Sequence, residues 1–281
     1  MHPKKLKLNN KVKKKYLQFI QSQEILSEPF RDKLGQLNKF YLPLSKKIFN
    51  RKIKNNKTII VGLTGGQGSG KSTISNILKI ILKERFELNT VIFSIDDFYK
   101  TLNERKIMAK KINPLFLTRG VPGTHDTKLL FNCLKQLKNL TKKILYIPKF
   151  DKSIDDRGPK KKWQKITFQP DIVIFEGWCV AATPQKNKDL IMPINILEKE
   201  KDKKKIWRSF VNKELKTTYK KIFKLIDLKI FLKVPNFDHV YKWRLLQEKK
   251  LRATSKGKKT MTDIKIKNFI MYYERLTRHM L

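Results

Sequence analysis

The segment GLTGGQGSGKST (62–73) holds five of the chain's 11 glycines within nine residues. Glycine loses more conformational freedom on folding than any other residue, so this cluster predicts a backbone that a ligand approaches closely. The segment fits G-x-x-x-x-G-K-[ST], in which backbone N–H groups surround a phosphate at a helix N-terminus. In this motif Lys71 neutralises β- and γ-phosphate oxygens and the Ser72 hydroxyl binds Mg²⁺. The predicted nucleotide-binding residues are Gly65, Gly66, Gln67, Gly68, Ser69, Gly70, Lys71, Ser72 and Thr73.

Acidic residues follow two apolar runs. In SIDDFYKT (94–101), Asp96 and Asp97 come directly after the predicted strand TVIFSI (90–95). Open α/β sheets bind ligands at the carboxyl ends of their strands, where a carboxylate can accept the proton of an attacking hydroxyl. We therefore predict a general base in this acidic pair, with capping of the next turn by the two acids as the alternative. Glu176 ends the most apolar run and is expected near Mg²⁺, directly or through water, rather than facing solvent.

Three basic segments could supply donors to an anion. The loop LTRGVPGTHD (117–126) combines an arginine, a histidine, two glycines and a proline, and such a loop offers rigid hydrogen-bond donors. Arg157 follows soon after another predicted strand. The helical segment YKWRLLQEKKLR (241–252) carries Arg244, Lys249 and Arg252, and it could be a mobile lid that closes these cations over a transferring phosphoryl group. The alternatives are an inert loop histidine and a solvated basic helix.

Alternating strands and helices must position these residues. The motif lies between a β-branched run, TIIVGL (58–63), and a segment with apolar residues at helical spacing (72–86), which argues against a chance glycine-rich turn. The alternation predicts an α/β, three-layer P-loop NTPase fold with a mostly parallel, doubly wound sheet. We expect one domain over residues 57–281, with a lid at about 241–260, after a basic helical extension over residues 1–56. Further strands are predicted at 90–95, 144–148, 171–177 and 228–234, and helices at 127–137 and 207–226.

The formal net charge of +41 arises from 65 Lys and Arg residues against 24 Asp and Glu residues. The lysines are dispersed, which favours compositional drift with generic solvation as the explanation. Attraction of an anionic substrate is the second interpretation and nucleic-acid binding the third. The basic residues lack the aromatic interleaving of single-strand binders, and the chain has no guanine-reading NKxD tetrad. We therefore expect a small acidic substrate as the partner, rather than nucleic acid.

The cysteines and the apolar runs indicate the compartment. Cys133 and Cys179 lack any CxxC or CxxH context, which predicts reduced, buried thiols rather than a disulfide frame or a metal site. No apolar run approaches the ~18 residues that span a bilayer. The N-terminus has neither a secretory nor a transit pattern. We expect a cytoplasmic protein without a membrane partner.

Taken in chain order, the motifs resemble those of one family. They are GLTGGQGSGKST, SIDDFY, RGVPGTHD, IPKFDKSIDDR, FEGWCV, PINILE, WRSFVNKEL and WRLLQEKKLR. This order is similar to that of the P-loop D-glycerate 3-kinases, within the larger phosphoribulokinase, uridine kinase and pantothenate kinase group. The resemblance runs from about Tyr41 to the C-terminus. The pair RGxPGTHD and FEGW is more specific to the glycerate kinase branch than the P-loop is.

The resemblance implies an activity and a set of roles. The activity is transfer of the γ-phosphoryl group of ATP, with Mg²⁺, to a hydroxyl of D-glycerate, which gives 3-phosphoglycerate. Asp96 is implied as the general base, with Lys71 and Arg244 near the phosphates. Ser72 and Glu176 are implied as metal ligands. The residues implied around the acceptor are Asp97, Tyr99, Arg119, His125, Asp126 and Arg157, with Arg119, His125 and Arg157 as candidates for the glycerate carboxylate.

Two alternatives stand beside this interpretation. One is a P-loop kinase of another acceptor, such as a nucleoside, pantothenate or a sugar phosphate. The other is a nucleic-acid-associated NTPase, which the charge suggests. Family members usually continue past the segment YERLTRHML (273–281) into a further strand, so we expect a sheet that lacks this strand. The predicted site residues all lie upstream of that point.

Overall fold

The computed structural model describes residues 10–24, 30–140, 143–254 and 261–281. Parts of the expected extension, at residues 1–9 and 25–29, and the end of the expected lid, at residues 255–260, lie outside these ranges. The strands are β1 (Ile59–Gly65), β2 (Thr90–Ser94), β3 (Leu145–Ile147), β4 (Phe150–Asp151), β5 (Asp156–Arg157), β6 (Gln164–Ile166), β7 (Ile172–Gly177) and β8 (Leu228–Leu232). The helices are α1 (Asn10–Gln23), α2 (Lys33–Gln36), α3 (Leu42–Ile53), α4 (Lys71–Phe86), α5 (Leu102–Lys111), α6 (Thr127–Lys138), α7 (Ile196–Lys201), α8 (Ile206–Glu214), α9 (Lys220–Phe223), α10 (Phe237–Thr254) and α11 (Asp263–Met280).

The central sheet has four parallel strands in the order β2-β7-β1-β8. In its register Leu63 of β1 lies opposite Glu176 of β7, and Ser94 of β2 lies opposite the same glutamate. Every residue of β1 and β7 is buried. Such continuous burial is typical of parallel strands with helices on both faces. The predicted α/β fold with a mostly parallel sheet is therefore confirmed.

Alternate residues of the strands pack into two different clusters, one on each face of the sheet. The first contains Ile48, Ile59, Val61, Leu63, Leu78, Leu82, Ile172 and Ile174. The second includes Ile60, Val91, Phe93, Leu130, Leu134, Val173, Phe175, Tyr219 and Ile222. The helices α3 and α4 cover the first face, while α6, α9 and the turn before α9 cover the second. The sheet thus forms the middle of three layers, and its carboxyl edge is left for the site.

The strand predicted at 144–148 is confirmed as β3, but it lies outside the parallel sheet. It pairs antiparallel with β6, with Leu145 opposite Ile166, in a separate two-stranded sheet. Tyr146, between two buried neighbours, is exposed. The short strand therefore buries one face only, which suits a small ribbon outside the core. The strands β4 and β5 form a second ribbon of the same kind.

The N-terminal helices pack on the P-loop helix. Val12, Tyr16 and Ile20 of α1 recur every four residues and meet Ile77 and Ile81 of α4 in one cluster. Two lysines of α1, Lys11 and Lys15, pair with Glu84 of α4. The lead-in therefore covers the outer face of α4. None of the helices in the described part of the chain has the length and apolarity that a bilayer crossing requires.

Candidate active site

The glycine-rich loop connects β1 to α4, and α10, the helix of the expected lid (below, the lid helix), packs against it. Gly68 and Gly70 have φ of 78° and 81°, in the left-handed region that glycine favours. A Cβ at Gly68 would lie 2.7 Å from the Cβ of Trp243 on α10. A Cβ at Gly70 would meet no described atom within 4 Å. The loop is therefore tight beneath α10 and open beside Gly70, where a phosphate oxygen could approach the backbone.

Lys71, the first residue of α4, turns its ammonium back onto the loop. Its Nζ donates to the carbonyls of Gly65 at 3.0 Å and Gly66 at 2.9 Å. Burial lowers the pKa of this ammonium, while the carboxylates of Glu176 and Asp96 raise it. The cation is thus held inside the loop between two acids, where a triphosphate would compete for it.

Ser72 and Glu176 are in direct contact at the carboxyl edge of the sheet. The Ser72 hydroxyl donates to Glu176 Oε1 at 3.0 Å. Burial raises the pKa of the Glu176 carboxyl, and the Lys71 ammonium opposes that rise. Among the described residues no group of three or more His, Cys, Asp or Glu side chains could hold a metal. The hydroxyl and carboxylate oxygens fit Mg²⁺, whose other ligands would be phosphate oxygens and water.

The two adjacent aspartates have different surroundings. Asp97 is buried; its carboxylate accepts the backbone N–H of Ser94 at 3.3 Å and pairs with Lys149 at 2.9 Å. It completes a capping box on the short 3₁₀ turn after β2. Asp96 is only half-buried, and its carboxylate accepts the Tyr99 hydroxyl at 2.8 Å. Asp97 therefore caps the turn, as in the alternative prediction, whereas the Asp96 carboxylate can still accept further hydrogen bonds at the site.

His125 and Tyr99 form a stacked pair beside Asp96. Their rings are 4.6 Å apart and inclined by 21°. His125 Nδ1 shares a 2.6 Å hydrogen bond with the hydroxyl of Tyr219, which also accepts the N–H of Gly123 at 2.9 Å. Tyr219 ends a turn of π-helix (215–219) between α8 and α9, which aims it at this loop. His125 Nε2 is buried and has no hydrogen-bond partner.

His125 should make folding stability depend on pH. Burial lowers its pKa from 6.5 to about 4, so the folded state resists protonation. The free energy of unfolding should fall by up to about 3 kcal/mol as the pH drops from 6.5 to about 4. The reason is that the unfolded chain binds the proton at a higher pH than the folded protein does. Urea unfolding from pH 7.5 to 4 measures the effect in the wild type and in His125→Phe, which keeps the stacked ring. An equal pH dependence in both proteins would contradict the prediction.

Arg119 is committed to an internal ion pair. Its guanidinium pairs with the carboxylate of Asp155, which also forms an ion pair with Arg105 of α5. Arg105 is fully buried and donates to the Leu117 carbonyl at 2.7 Å. Asp155 holds a left-handed φ of 55° at the centre of this cluster. The side chain of Arg119 therefore anchors the loop 117–126, and an acceptor would have to compete with Asp155 for it.

Arg157 is held differently. It donates to the Tyr99 carbonyl at 3.1 Å and to the Asp126 carboxylate at 3.2 Å, both through Nη2. Its Nε is buried without a hydrogen-bond partner. Asp126 caps α6 by accepting the N–H of Leu129 at 3.0 Å. The carboxylate of Asp126 is thus occupied by contacts within the fold, whereas Nε of Arg157 is a donor without a hydrogen-bond partner, next to Tyr99.

Arg244 lies on α10 and is also paired. Its guanidinium lies 2.7 Å from the carboxylate of Glu248, one turn further on. Glu248 is almost fully buried and accepts the N–H of Met261 at 2.6 Å with its other oxygen. The Val240 side chain of the same helix packs on Gly66. The structure therefore brings the lid helix to the P-loop, with Arg244 held by Glu248.

Several residues at the site were missed in the sequence. Tyr273, Trp178, Tyr219, Asp155 and Glu248 all lie within this network. The quoted motifs contain Trp178, Asp155 and Glu248, so their positions were visible but their contacts were not. Both cysteines are free and buried, as predicted. Burial raises the thiol pKa of Cys133 to about 12, which makes it unreactive.

Comparisons with known proteins agree with this geometry. The phosphoribulokinase/uridine kinase family model matches residues 60–211. An uncharacterized kinase of Schizosaccharomyces pombe is 35% identical over 225 residues, which cover 77% of this chain and 79% of that protein. The chloroplastic D-glycerate 3-kinase of Arabidopsis thaliana is 29% identical over 237 residues, covering 80% of this chain and 49% of the relative. The solved structure of D-glycerate 3-kinase from Cryptococcus neoformans has a TM-score of 0.74 at 27% identity, covering 85% of this chain and 87% of that chain.

The fold and the site define a P-loop kinase, an ATP-dependent phosphotransferase. The chain belongs to the phosphoribulokinase/uridine kinase family. The resemblance seen in the motifs is confirmed, because D-glycerate 3-kinases are among the relatives and the structural neighbours.

Proposed function

We propose that this kinase transfers the γ-phosphoryl group of ATP to a hydroxyl of D-glycerate and forms 3-phosphoglycerate. The observation that carries the proposal is the surroundings of Tyr99. Its hydroxyl binds Asp96, its carbonyl binds Arg157, and its ring stacks on His125. A carboxylate that could accept the proton of a hydroxyl and a hydrogen-bond donor that could bind a carboxylate thus both lie next to Tyr99. The named activity of two relatives supports the same acceptor.

In this proposal each catalytic residue has one task. Asp96 orients the acceptor hydroxyl and accepts its proton as the hydroxyl attacks. Lys71 and Arg244 offset the negative charge that spreads over the transferring phosphoryl group. Ser72 and Glu176 would hold Mg²⁺, which would supply positive charge beside the phosphates. The helix α10 covers the loop and excludes water from the reacting groups.

Recognition of the acceptor carboxylate falls to Arg157 more than to Arg119. The guanidinium of Arg119 already pairs with Asp155. Arg157 has an unpaired buried Nε, and leaving such a donor without a partner costs free energy. A carboxylate would satisfy it through a charge-assisted hydrogen bond. His125 Nε2 is a second unpartnered nitrogen in the same region, and its ring is neutral near pH 7.

A coupled ADP-release assay with Mg-ATP tests the proposal. The acceptors are D-glycerate, L-glycerate, uridine, pantothenate and ribulose 5-phosphate. We expect turnover with D-glycerate alone. Turnover with another acceptor in its place would keep the kinase and reject the substrate. ATP turnover that depends on DNA, with DNA binding that weakens steeply with salt, would favour the nucleic-acid alternative. The expected cytoplasmic location stays a prediction, because the Arabidopsis relative is chloroplastic by name.

Replacing Glu176 by glutamine should weaken the use of Mg²⁺. The amide keeps an oxygen for the Ser72 hydroxyl but loses the negative charge at the proposed metal site. We expect the Mg²⁺ concentration for half-maximal activity to rise by about tenfold or more. The measurement is a Mg²⁺ titration of ADP release at fixed ATP. An unchanged midpoint would remove Glu176 from the metal site.

A further inference from the structure

Tyr273 of the C-terminal helix α11 reaches into the loop 117–126. Its hydroxyl donates to the Arg119 carbonyl at 3.2 Å. A Cβ at the next residue, Gly120, would overlap this hydroxyl, and Gly120 has a φ of 137° that favours glycine. The phenol ring lies edge-on to Trp178 at 4.9 Å, and the Trp178 indole N–H donates to the Gly120 carbonyl at 3.0 Å. Two aromatic side chains thus hold two consecutive carbonyls of this loop.

The surroundings of the Tyr273 hydroxyl connect the loop to the reacting groups. Burial raises the pKa of this phenol, and the Asp96 carboxylate raises it further. Arg119, Gln67 of the P-loop and Arg244 of the lid helix lower it. The hydroxyl therefore keeps its proton near pH 7 and remains a donor. It lies within electrostatic reach of the proposed base, the P-loop and the lid.

A ring on α11 continues the contact towards the lid. Phe269, one turn before Tyr273, packs against its ring with centroids 5.0 Å apart. The guanidinium of Arg244 lies 6.0 Å from the centre of the Phe269 ring. Glu248 holds both Arg244 and the N–H of Met261, just before α11 begins. Side chains in contact thus lead from the lid arginine to Gly120.

We propose that Tyr273 is a positioning residue that fixes the loop 117–126 against the P-loop and the lid helix. Its hydrogen bond to Arg119 and its contact with Gly120 set where the loop presents its groups to the acceptor. The link to the acceptor rests on the proposed function. The positioning of the loop does not, because it follows from the contacts alone.

The test compares Tyr273→Phe with Tyr272→Phe, a matched control on the same helix. The Tyr272 ring packs against Trp207 at 5.9 Å, and among the described residues no hydrogen bond joins its hydroxyl to the loop. The first measurement is amide hydrogen exchange in residues 119–124, which needs no acceptor. Loss of one buried hydrogen bond should speed this exchange by about tenfold in Tyr273→Phe and leave it unchanged in Tyr272→Phe. Equal exchange in Tyr273→Phe and wild type, or the same increase in both variants, would overturn the proposal.

The second measurement separates positioning from general stability. In steady-state kinetics, Tyr273→Phe should raise the KM for the acceptor by about tenfold and leave the KM for ATP within twofold. An unchanged acceptor KM, or an equal rise in both KM values, would overturn the proposal. If the wild type ignores D-glycerate and uses another acceptor, the proposed function fails, while the same comparison on that acceptor still decides the role of Tyr273. If no acceptor is found, the exchange experiment decides it alone.

Discussion

Replacing Lys71 by alanine should lower the turnover number by about a thousandfold or more while the protein stays folded. The ammonium donates to the Gly65 and Gly66 carbonyls, and the Glu176 and Asp96 carboxylates raise its pKa. Charge that develops on the transferring phosphoryl group would therefore lose the counter-charge that the loop holds. Removing the ammonium also leaves the buried Glu176 carboxylate without this counter-charge, so the free energy of unfolding is measured beside the rate.

The measurement is single-turnover phosphoryl transfer at saturating Mg-ATP, beside urea unfolding of the same variant. Lys79→Ala is the matched control, since Lys79 lies on the same helix but is exposed. We expect the control to behave as the wild type. Turnover by Lys71→Ala within tenfold of the wild type would remove the P-loop cation from the mechanism.

Replacing Asp96 by asparagine should abolish transfer and leave ATP binding intact. The amide has nearly the shape of the carboxylate and can still accept the Tyr99 hydroxyl, but it cannot take a proton from the acceptor. We expect the rate of transfer to fall by about 100-fold to 10,000-fold, the range for a lost general base. Equilibrium binding of a fluorescent ATP analogue should give a dissociation constant within twofold of the wild type.

Asp97→Asn is the control for Asp96. Its carboxylate is engaged by Lys149 and by the N–H groups of Ser94 and Phe150. The variant should therefore lose about 1–3 kcal/mol of unfolding free energy and keep most of its rate when folded. Loss of transfer in Asp97→Asn alone, at unchanged stability, would show that the base is assigned to the wrong aspartate.

The central sheet could be predicted because its strands carry strong local signals. β1 and β7 begin with apolar, β-branched residues and end at glycine, and α4 has apolar residues at helical spacing after the P-loop. The run 144–148 has the same composition as a core strand, yet β3 lies in a separate ribbon. Composition does not distinguish the two, because only the position of a partner strand decides whether a short apolar run is buried on both faces.

The residues proposed to bind the phosphates could be predicted from the sequence, and those proposed to bind the acceptor could be predicted less well. Lys71, Ser72 and Glu176 meet because the motif and the end of β7 share one edge of the sheet. The residues alone could not distinguish the roles of Asp96 and Asp97, because the capping box with Ser94 determines which carboxylate is occupied by backbone N–H groups. The arginines were predicted to bind an anion, but tertiary contacts that the sequence does not show determine their partners.

Tyr273 shows why part of the site escaped prediction. It lies 154 residues after Arg119 in the chain, on a helix whose apolar pattern explains its burial without any function. The signal was present in the loop instead. Gly120 requires a left-handed backbone and tolerates no Cβ, because a side chain from α11 fills that space. Such a glycine indicates a close neighbour but not which residue supplies it.

Phosphorus NMR of the reaction products tests the proposed transfer most directly. The wild type and Asp96→Asn are incubated with Mg-ATP and D-glycerate under the same conditions. We expect 3-phosphoglycerate and ADP in equal amounts from the wild type, and unchanged ATP from the variant. ADP with free phosphate and no phosphoglycerate from the folded wild type would contradict the proposal, as would equal product from both proteins.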